Sequence, residues 1–158
     1  MNCCTVKSPI AMAPEQCPSC GSVGTQVDAI TLKALLTSDA LRRGISDAPR
    51  FCATESCRIV YFDNDAGVSF SEAELTVRVH AKHPADGGVQ VCYCFEYTPS
   101  TIEAEIERLG SSSARATITA EVQAGHCACE VRNPKGTCCL GDVARVEARV
   151  QQLAHVEG

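Results

Sequence analysis

The chain has 158 residues and a formal net charge of -5; twelve residues are cysteine and none is tryptophan. An acidic chain with 4% aromatic residues does not suit nucleic-acid binding, and no apolar run approaches the ~18 residues of a membrane span. Because no secretory signal is recognisable either, we predict a cytoplasmic protein whose reduced cysteines bind metals rather than form disulfides.

The first half of the sequence predicts both strands and helix. Residues 25–36 (TQVDAITLKALL) begin with a strand-like pattern and continue with helical spacing. Residues 56–62 (SCRIVYF) predict a strand. Residues 67–79 predict one or two more strands, because Leu75, Val77 and Val79 alternate with polar residues. Residues 80–88 (HAKHPADGG) have no apolar period and are interpreted as part of a linker.

The second half predicts helices. Thr98 is suited to cap a helix over 99–109, with Pro99 at its first position and Gly110 at its end. A short helix is predicted within 112–125. Residues 140–156 predict an amphipathic helix that packs on the 99–109 helix, and its apolar stripe is Val143, Val146, Val150 and Leu153.

Two cysteine pairs in the first half predict a zinc site. The motif CPSCG contains Cys17 and Cys20 in a short turn, and Cys52 and Cys57 open the predicted strand. Two close pairs supply the four thiolates of a closed, tetrahedral structural site. The alternative is a redox dithiol formed by Cys17 and Cys20, but that motif normally starts a helix.

The remaining pairs suggest an iron–sulfur cluster. Cys92 and Cys94 precede the 99–109 helix, and a second group (GHCACEVRNPKGTCCLGD) precedes the 140–156 helix. Helix amino-termini stabilise an anionic cluster through free amides and the helix dipole. The usual ferredoxin spacings are absent. Spacing alone leaves two choices open, between Cys127 and Cys129 and between Cys138 and Cys139.

Four motifs in order carry a family resemblance: CPSCG, FCATESCRIVYF, VCYCF and NPKGTCCLG. Together they resemble the amino-terminal domain of the CopZ-type copper chaperones, and the second part is similar to the bacterioferritin-associated ferredoxins. The resemblance extends from Cys17 to the carboxyl terminus. It implies zinc on the first two pairs and a [2Fe–2S] cluster whose ligands are Cys92, Cys94, Cys129 and Cys139.

We therefore predict an α+β protein. A flexible amino-terminus (1–14) precedes a zinc-stapled mixed domain with a few antiparallel strands (15–80). A linker (81–90) then leads to a small helical [2Fe–2S] domain (91–158). Four histidines, His80, His83, His126 and His155, are predicted to be exposed to solvent.

Four cysteines are left without a ligand role: Cys3, Cys4, Cys127 and Cys138. They are candidate ligands for a soft ion such as Cu(I). Chaperones of the resembled family continue into a carrier domain with its own Cys-x-x-Cys, whereas the only such motif here is the zinc pair. We expect copper to come from a separate protein or to be held by these four cysteines.

The predicted function is one-electron transfer in copper or other soft-metal handling, with reduction of Cu(II) to Cu(I) as a use implied by the resemblance. No general acid, nucleophile or substrate pocket is recognisable, so an ordinary enzyme is not expected. The expected partners are a soft-metal chaperone or transporter and an electron donor. The alternatives are a ferredoxin-like docking partner in iron release and a redox-sensing or structural module.

Overall fold

The computed structural model describes residues 13–156. In the first half, four short strands form one antiparallel sheet in sequential order. They are β1 (Thr25–Gln26), β2 (Arg50–Phe51), β3 (Ile59–Asp63) and β4 (Val68–Ser71). Phe51 lies opposite Thr25 on one side and Tyr61 on the other, which fixes the register of the central pair. All five residues of β3 are buried, so this strand forms the centre of the unit.

Two helices cover the sheet, and both begin with a side-chain cap. The carboxylate of Asp28 accepts the backbone N–H of Ile30 at 3.0 Å before α1 (Ala29–Leu35). Thr37 caps α2 (Ser38–Leu41) in the same way. Two 3₁₀ turns follow β4, at Glu72–Glu74 and His80–Lys82. The core between these elements consists of Val27, Leu32, Leu36, Ala40, Phe51, Val60, Tyr61, Phe70, Leu75 and Val79.

The second half is helical. Its elements are α3 (Pro99–Leu109), α4 (Ala114–Gln123), the short α5 (Cys129–Arg132) and α6 (Leu140–Val156). Thr98 accepts the backbone N–H of Thr101 at 3.2 Å, and Gly110 ends α3 in the left-handed conformation at φ 81°. Helices α3 and α4 both pack on α6. A second core unites them: Val91, Cys92, Ile102, Ile106, Ala114, Ile118, Cys139, Val143 and Val146.

The α+β class, the antiparallel strands and the helical second half are confirmed. Of the one or two strands predicted within residues 67–79, one is present as β4; no second strand forms, and Leu75 makes only an isolated bridge with Leu36. The chain turns instead at Glu72–Glu74, where the carboxylate of Glu74 accepts the backbone N–H of Ser71 at 2.8 Å. This hydrogen bond belongs to a capping box that begins the 3₁₀ turn directly after β4.

The apolar stripe of α6 is buried only in its first half. Val143 and Val146 are buried, whereas Leu153 is 60% exposed. Helix α6 has 17 residues and α3 has 11, so the last turns of α6 extend past the neighbour that buries its beginning. Among residues 13–156, none of the helices combines the length and apolar character that crossing a bilayer requires.

The sheet unit and the helical unit are in direct contact. Helix α1 packs on α5, and the hydroxyl of Thr31 donates to the carbonyl of Glu130 at 2.5 Å. The buried hydroxyl of Tyr61 donates to the carbonyl of Pro134. Gly136, at φ 72°, approaches α1 so closely that a Cβ there would lie 3.1 Å from Val27. The loop between α5 and α6 is therefore held against the sheet unit.

The prediction of exposed histidines holds for two of the four. His126 and His155 are exposed, whereas His80 and His83 are only partly exposed. His80 lines a cavity of about 460 Å³ between the two units, and its Nδ1 is buried with no partner among the described residues. His83 lies 2.6 Å from a carboxylate oxygen of Glu72. The segment around them packs against both units, which its polar composition does not reveal.

Candidate metal centres

The first cysteine pair lies in a tight turn. The backbone N–H of Cys17 donates to the carbonyl of Ser22 at 2.8 Å, and the N–H of Gly21 donates back to Cys17 at 2.9 Å. Gly21 has φ 76°, a conformation that costs glycine little. The turn places both sulfurs of the pair on the same side as the second pair.

The second pair is held by the sheet. The N–H of Cys52 donates to the carbonyl of Val60 at 2.8 Å, which continues the β2–β3 pairing by one residue. The N–H of Cys57 donates to the carbonyl of Thr54 at 3.2 Å and closes the loop. A buried strand on one side and a hydrogen-bonded loop on the other therefore fix the second pair.

The four sulfurs converge on one point. The Sγ atoms of Cys17 and Cys57 are 3.7 Å apart, and those of Cys20 and Cys52 are 3.6 Å apart. All four lie within 4.8 Å of one another. A tetrahedral ion with metal–sulfur bonds of about 2.3 Å separates its ligand sulfurs by roughly 3.8 Å. The donor set and its spacing thus fit one zinc ion with no open coordination position.

The surroundings of this site give its thiols different pKa values. Burial raises the pKa of Cys17 to about 12 and also raises the pKa of Cys52. Hydrogen bonding with the side chains of Thr54 and Ser22 lowers the pKa of the exposed Cys20 to about 5. The Oγ1 atom of Thr54 lies 3.5 Å from the sulfur of Cys20 and 3.0 Å from the hydroxyl oxygen of Ser22. Two hydroxyls therefore support the most exposed ligand.

The cysteines of the second half meet in two pairs. The Sγ atoms of Cys94 and Cys129 are 3.7 Å apart. Cys92 and Cys139 are both buried and pack in the same core. The predicted ligands of the helical unit therefore lie together, two by two. Among the described residues, only the four cysteines of the first half form a group tight enough for a single ion.

The pairing also gives Cys92 and Cys139 different pKa values. The hydrogen bond from Cys139 lowers the pKa of Cys92 to about 7, and the same bond together with burial raises the pKa of Cys139. Burial raises the pKa of Cys129 to about 12. The backbone N–H of Ala128 donates to the sulfur of Cys94 at 3.2 Å. This bond holds the sulfur of Cys94 beside that of Cys129.

The structure gives the other predicted ligands different surroundings. Cys138 is exposed and Cys127 is half-buried, whereas Cys129 and Cys139 are buried beside their partners. Cys138 is near enough to Cys129 and Cys139 to raise the pKa of both. His126 is exposed and lies 2.6 Å from a carboxylate oxygen of Glu121. Cys3 and Cys4, and most of the predicted flexible amino-terminus, lie outside the described residues.

Two residues near the first site were not predicted from the sequence. Thr54 lies between two ligand cysteines, so its position in the 52–57 loop was a usable signal. Lys82 is only 8% exposed, and its ammonium donates to the carbonyl of Thr54 at 2.8 Å. It belongs to the polar segment interpreted as the start of a linker, and nothing in that composition points to the zinc site.

Comparison with known proteins supports zinc binding at the first site. Residues 14–76 match the family model of the CopZ zinc binding domain. These residues contain only four cysteines, and they are the four whose sulfurs converge. The first site is therefore a four-cysteine zinc-binding site.

The similarity extends beyond the matched domain. The copper chaperone CopZ of Archaeoglobus fulgidus is 32% identical over 131 residues, which cover 83% of this chain and 61% of that protein. The X-ray structure of the Archaeoglobus fulgidus CopZ N-terminal domain superposes with a TM-score of 0.67 at 29% identity. That likeness covers 83% of this chain and 96% of the solved one.

Proposed function

We propose that this chain is a redox protein of copper handling. Its residues 14–76 form a zinc-binding domain homologous to part of the CopZ amino-terminal domain. In this proposal zinc holds the fold, and a [2Fe–2S] cluster in the helical unit passes one electron at a time. The cluster ligands are Cys92, Cys94, Cys129 and Cys139.

The pairing of the thiols in the helical unit carries the proposal. A two-iron cluster needs two thiolates on each iron, and tetrahedral iron separates the two sulfurs of a pair by about the distance found at tetrahedral zinc. The Cys94–Cys129 separation of 3.7 Å meets this requirement. Cys92 and Cys139, which are buried in the same core, offer the other two thiolates. We infer that each pair holds one iron.

Backbone groups near these thiols favour an anion. Cys139 immediately precedes α6, a helix of 17 residues whose first amides have no intrahelical acceptor. The N–H of Ala128 already donates to the sulfur of Cys94. Such donors stabilise a cluster with four thiolates and tune its reduction potential.

The named relative is a copper chaperone, which favours copper as the electron acceptor. A reduced cluster held by these four cysteines would supply one electron to Cu(II), giving Cu(I) and the oxidised cluster. A one-electron donor protein would reduce the cluster again. Cu(I) is soft and binds cysteine thiolates, so a thiol-bearing chaperone or transporter would accept it.

The test uses anaerobic protein whose cluster has been reduced with dithionite and then desalted. Cu(II) is added with a chelator that absorbs visibly when it binds Cu(I). We expect about one Cu(I) per chain and a return of the oxidised cluster bands at the same rate. The matched control is the same protein with an oxidised cluster, because its thiols are unchanged.

Equal Cu(I) yields from the reduced and oxidised forms would overturn the copper role, since thiols alone would then be the reductant. An intact cluster that reacts with other acceptors but not with Cu(II) would indicate a ferredoxin-like partner instead. Cys92→Ser should form Cu(I) only at the level of the oxidised control.

A further inference from the structure

A buried lysine lies beside the zinc site. Lys82 is 8% exposed, and its ammonium donates to the carbonyl of Thr54 at 2.8 Å. Among the residues described, no carboxylate oxygen lies within 4.0 Å of its Nζ. A buried ammonium with a single neutral acceptor is costly unless a negative charge lies nearby.

The zinc site supplies that charge. Four thiolates around a divalent zinc ion carry a net charge of about -2. The hydrogen bond to the Thr54 carbonyl places the Lys82 ammonium beside the loop that carries Cys52 and Cys57. Burial of the site strengthens the attraction between these opposite charges, because the surrounding dielectric constant is low.

One carbonyl connects the lysine to the ligand loop. The oxygen of Thr54 accepts both the ammonium of Lys82 and the backbone N–H of Cys57, at 2.8 and 3.2 Å. The hydroxyl of the same threonine contacts the sulfur of Cys20. Lys82 therefore fixes the loop that carries two ligands, and it reaches that loop from a turn far along the chain.

We propose that Lys82 is a positioning residue of the zinc site. It compensates the charge of the zinc–thiolate complex and holds the 52–57 loop through the Thr54 carbonyl. This role does not depend on an iron–sulfur cluster or on copper.

The test measures zinc affinity and the rate of zinc release to a colorimetric chelator in the full anaerobic chain. Lys82→Met keeps the apolar stem and removes the charge. We expect about 10-fold to 100-fold weaker zinc binding, the range found for residues that support metal ligands. Lys82→Arg keeps the charge and should retain most of the affinity. Lys33→Met, at an exposed position of α1, is the matched control and should bind zinc normally.

A charge role and a packing role give different outcomes. Lys82→Gln keeps a donor for the Thr54 carbonyl without the charge, and it serves if Lys82→Met does not fold. Weak zinc binding in the glutamine variant with recovery in the arginine variant supports the proposal. Zinc affinity equal to that of the parent in either neutral variant, or loss in the arginine variant equal to that in methionine, would overturn it.

Discussion

At the residue scale, neighbouring cysteines have different surroundings. In each adjacent or near-adjacent pair of the second group, one cysteine is buried against a partner thiol and the other is more exposed. Cys129 touches Cys94 while Cys127 is half-buried; Cys139 is buried against Cys92 while Cys138 is exposed. The spacing of the cysteines does not predict this difference, because the burial of each one depends on which side of the loop faces the helical core.

Cys129→Ser and Cys138→Ser therefore form a matched pair of variants. We expect Cys129→Ser to lose the visible absorption of the cluster and its iron, because it breaks one of the two thiol pairs. Cys138→Ser should retain both. Iron and sulfide analysis of the anaerobically reconstituted variants measures this. Equal cluster content in the two variants would contradict the ligand assignment.

A partly buried carboxylate at the start of α6, with two basic partners, gives a pH-dependent prediction. Burial opposes ionisation of Asp142, but hydrogen bonds from Lys135 and Arg145, each 2.5 Å long, outweigh it and lower the carboxyl pKa. Because this carboxyl is a stronger acid in the folded chain, its stabilising effect is complete above the unfolded pKa of about 3.9 and is lost as pH falls through the lower folded pKa.

We expect Asp142→Asn to lower the free energy of unfolding by about 2 kcal/mol at neutral pH, the scale of hydrogen bonds to a charged group. Below about pH 4 the difference from the parent should shrink. Denaturant titrations across this range measure it. Asp39→Asn removes an exposed ion pair and should change little. A difference that grows on acidification would contradict the account.

At the element scale, the contact between α1 and the α5–α6 loop joins the two units. Gly136 is its tightest point, since a Cβ would lie 3.1 Å from Val27 and 3.2 Å from the hydroxyl oxygen of Thr31. Any residue other than glycine would be strained at this positive φ. The loop that carries the last cysteines is therefore positioned by the sheet unit.

Gly136→Ala should cost more stability than Gly125→Ala. Both glycines have positive φ, but nothing lies within 4 Å of a Cβ at Gly125. The strain costs about 1–2 kcal/mol at either position, and only Gly136→Ala adds crowding against α1. Thermal unfolding of both variants separates the two effects. Equal losses would show that the close approach to α1 is not tight in solution.

The sequence predicted the elements with strong local signals. The Thr98 cap, Pro99 and the left-handed Gly110 defined α3, and the apolar period defined α6. The zinc cysteines were also predictable, because short motifs placed them in pairs. Strand β2 and helix α5 are short and are set by their neighbours, so no local pattern revealed them. Lys82 was missed for the same reason, since only tertiary packing brings it to Thr54.

At the scale of the whole molecule, two small cores are joined by a polar seam. From the sheet unit, Thr31 donates a hydrogen bond to α5, and Tyr61 donates one to the loop between α5 and α6. Zinc stabilises the sheet unit. Because these hydrogen bonds join the two units, loss of zinc should also lower the stability of the helical unit. The domain boundaries predicted at 80–90 stay a prediction, although Lys82 and Val89 within them are buried.

Removal of zinc should therefore unfold the sheet unit and weaken the helical one. We expect chelation, or Cys52→Ser, to reduce the near-ultraviolet circular dichroism signal of the three tyrosines, because Tyr61 is buried in the sheet unit and metal binding is linked to folding. The midpoint for loss of helix should fall as well. Cys138→Ser is the control. An unchanged tyrosine signal and helix midpoint after complete zinc removal would contradict a structural role for the ion.

The most direct test of the central claim is metal and sulfide analysis of the anaerobically purified chain, with an absorption spectrum before and after dithionite. We expect about one zinc and two irons per chain, and visible bands that bleach on reduction. Cys94→Ser should lose the iron and keep the zinc, and Cys20→Ser should lose the zinc. Zinc without iron or sulfide, even after anaerobic reconstitution, would contradict the cluster and with it the proposed electron transfer.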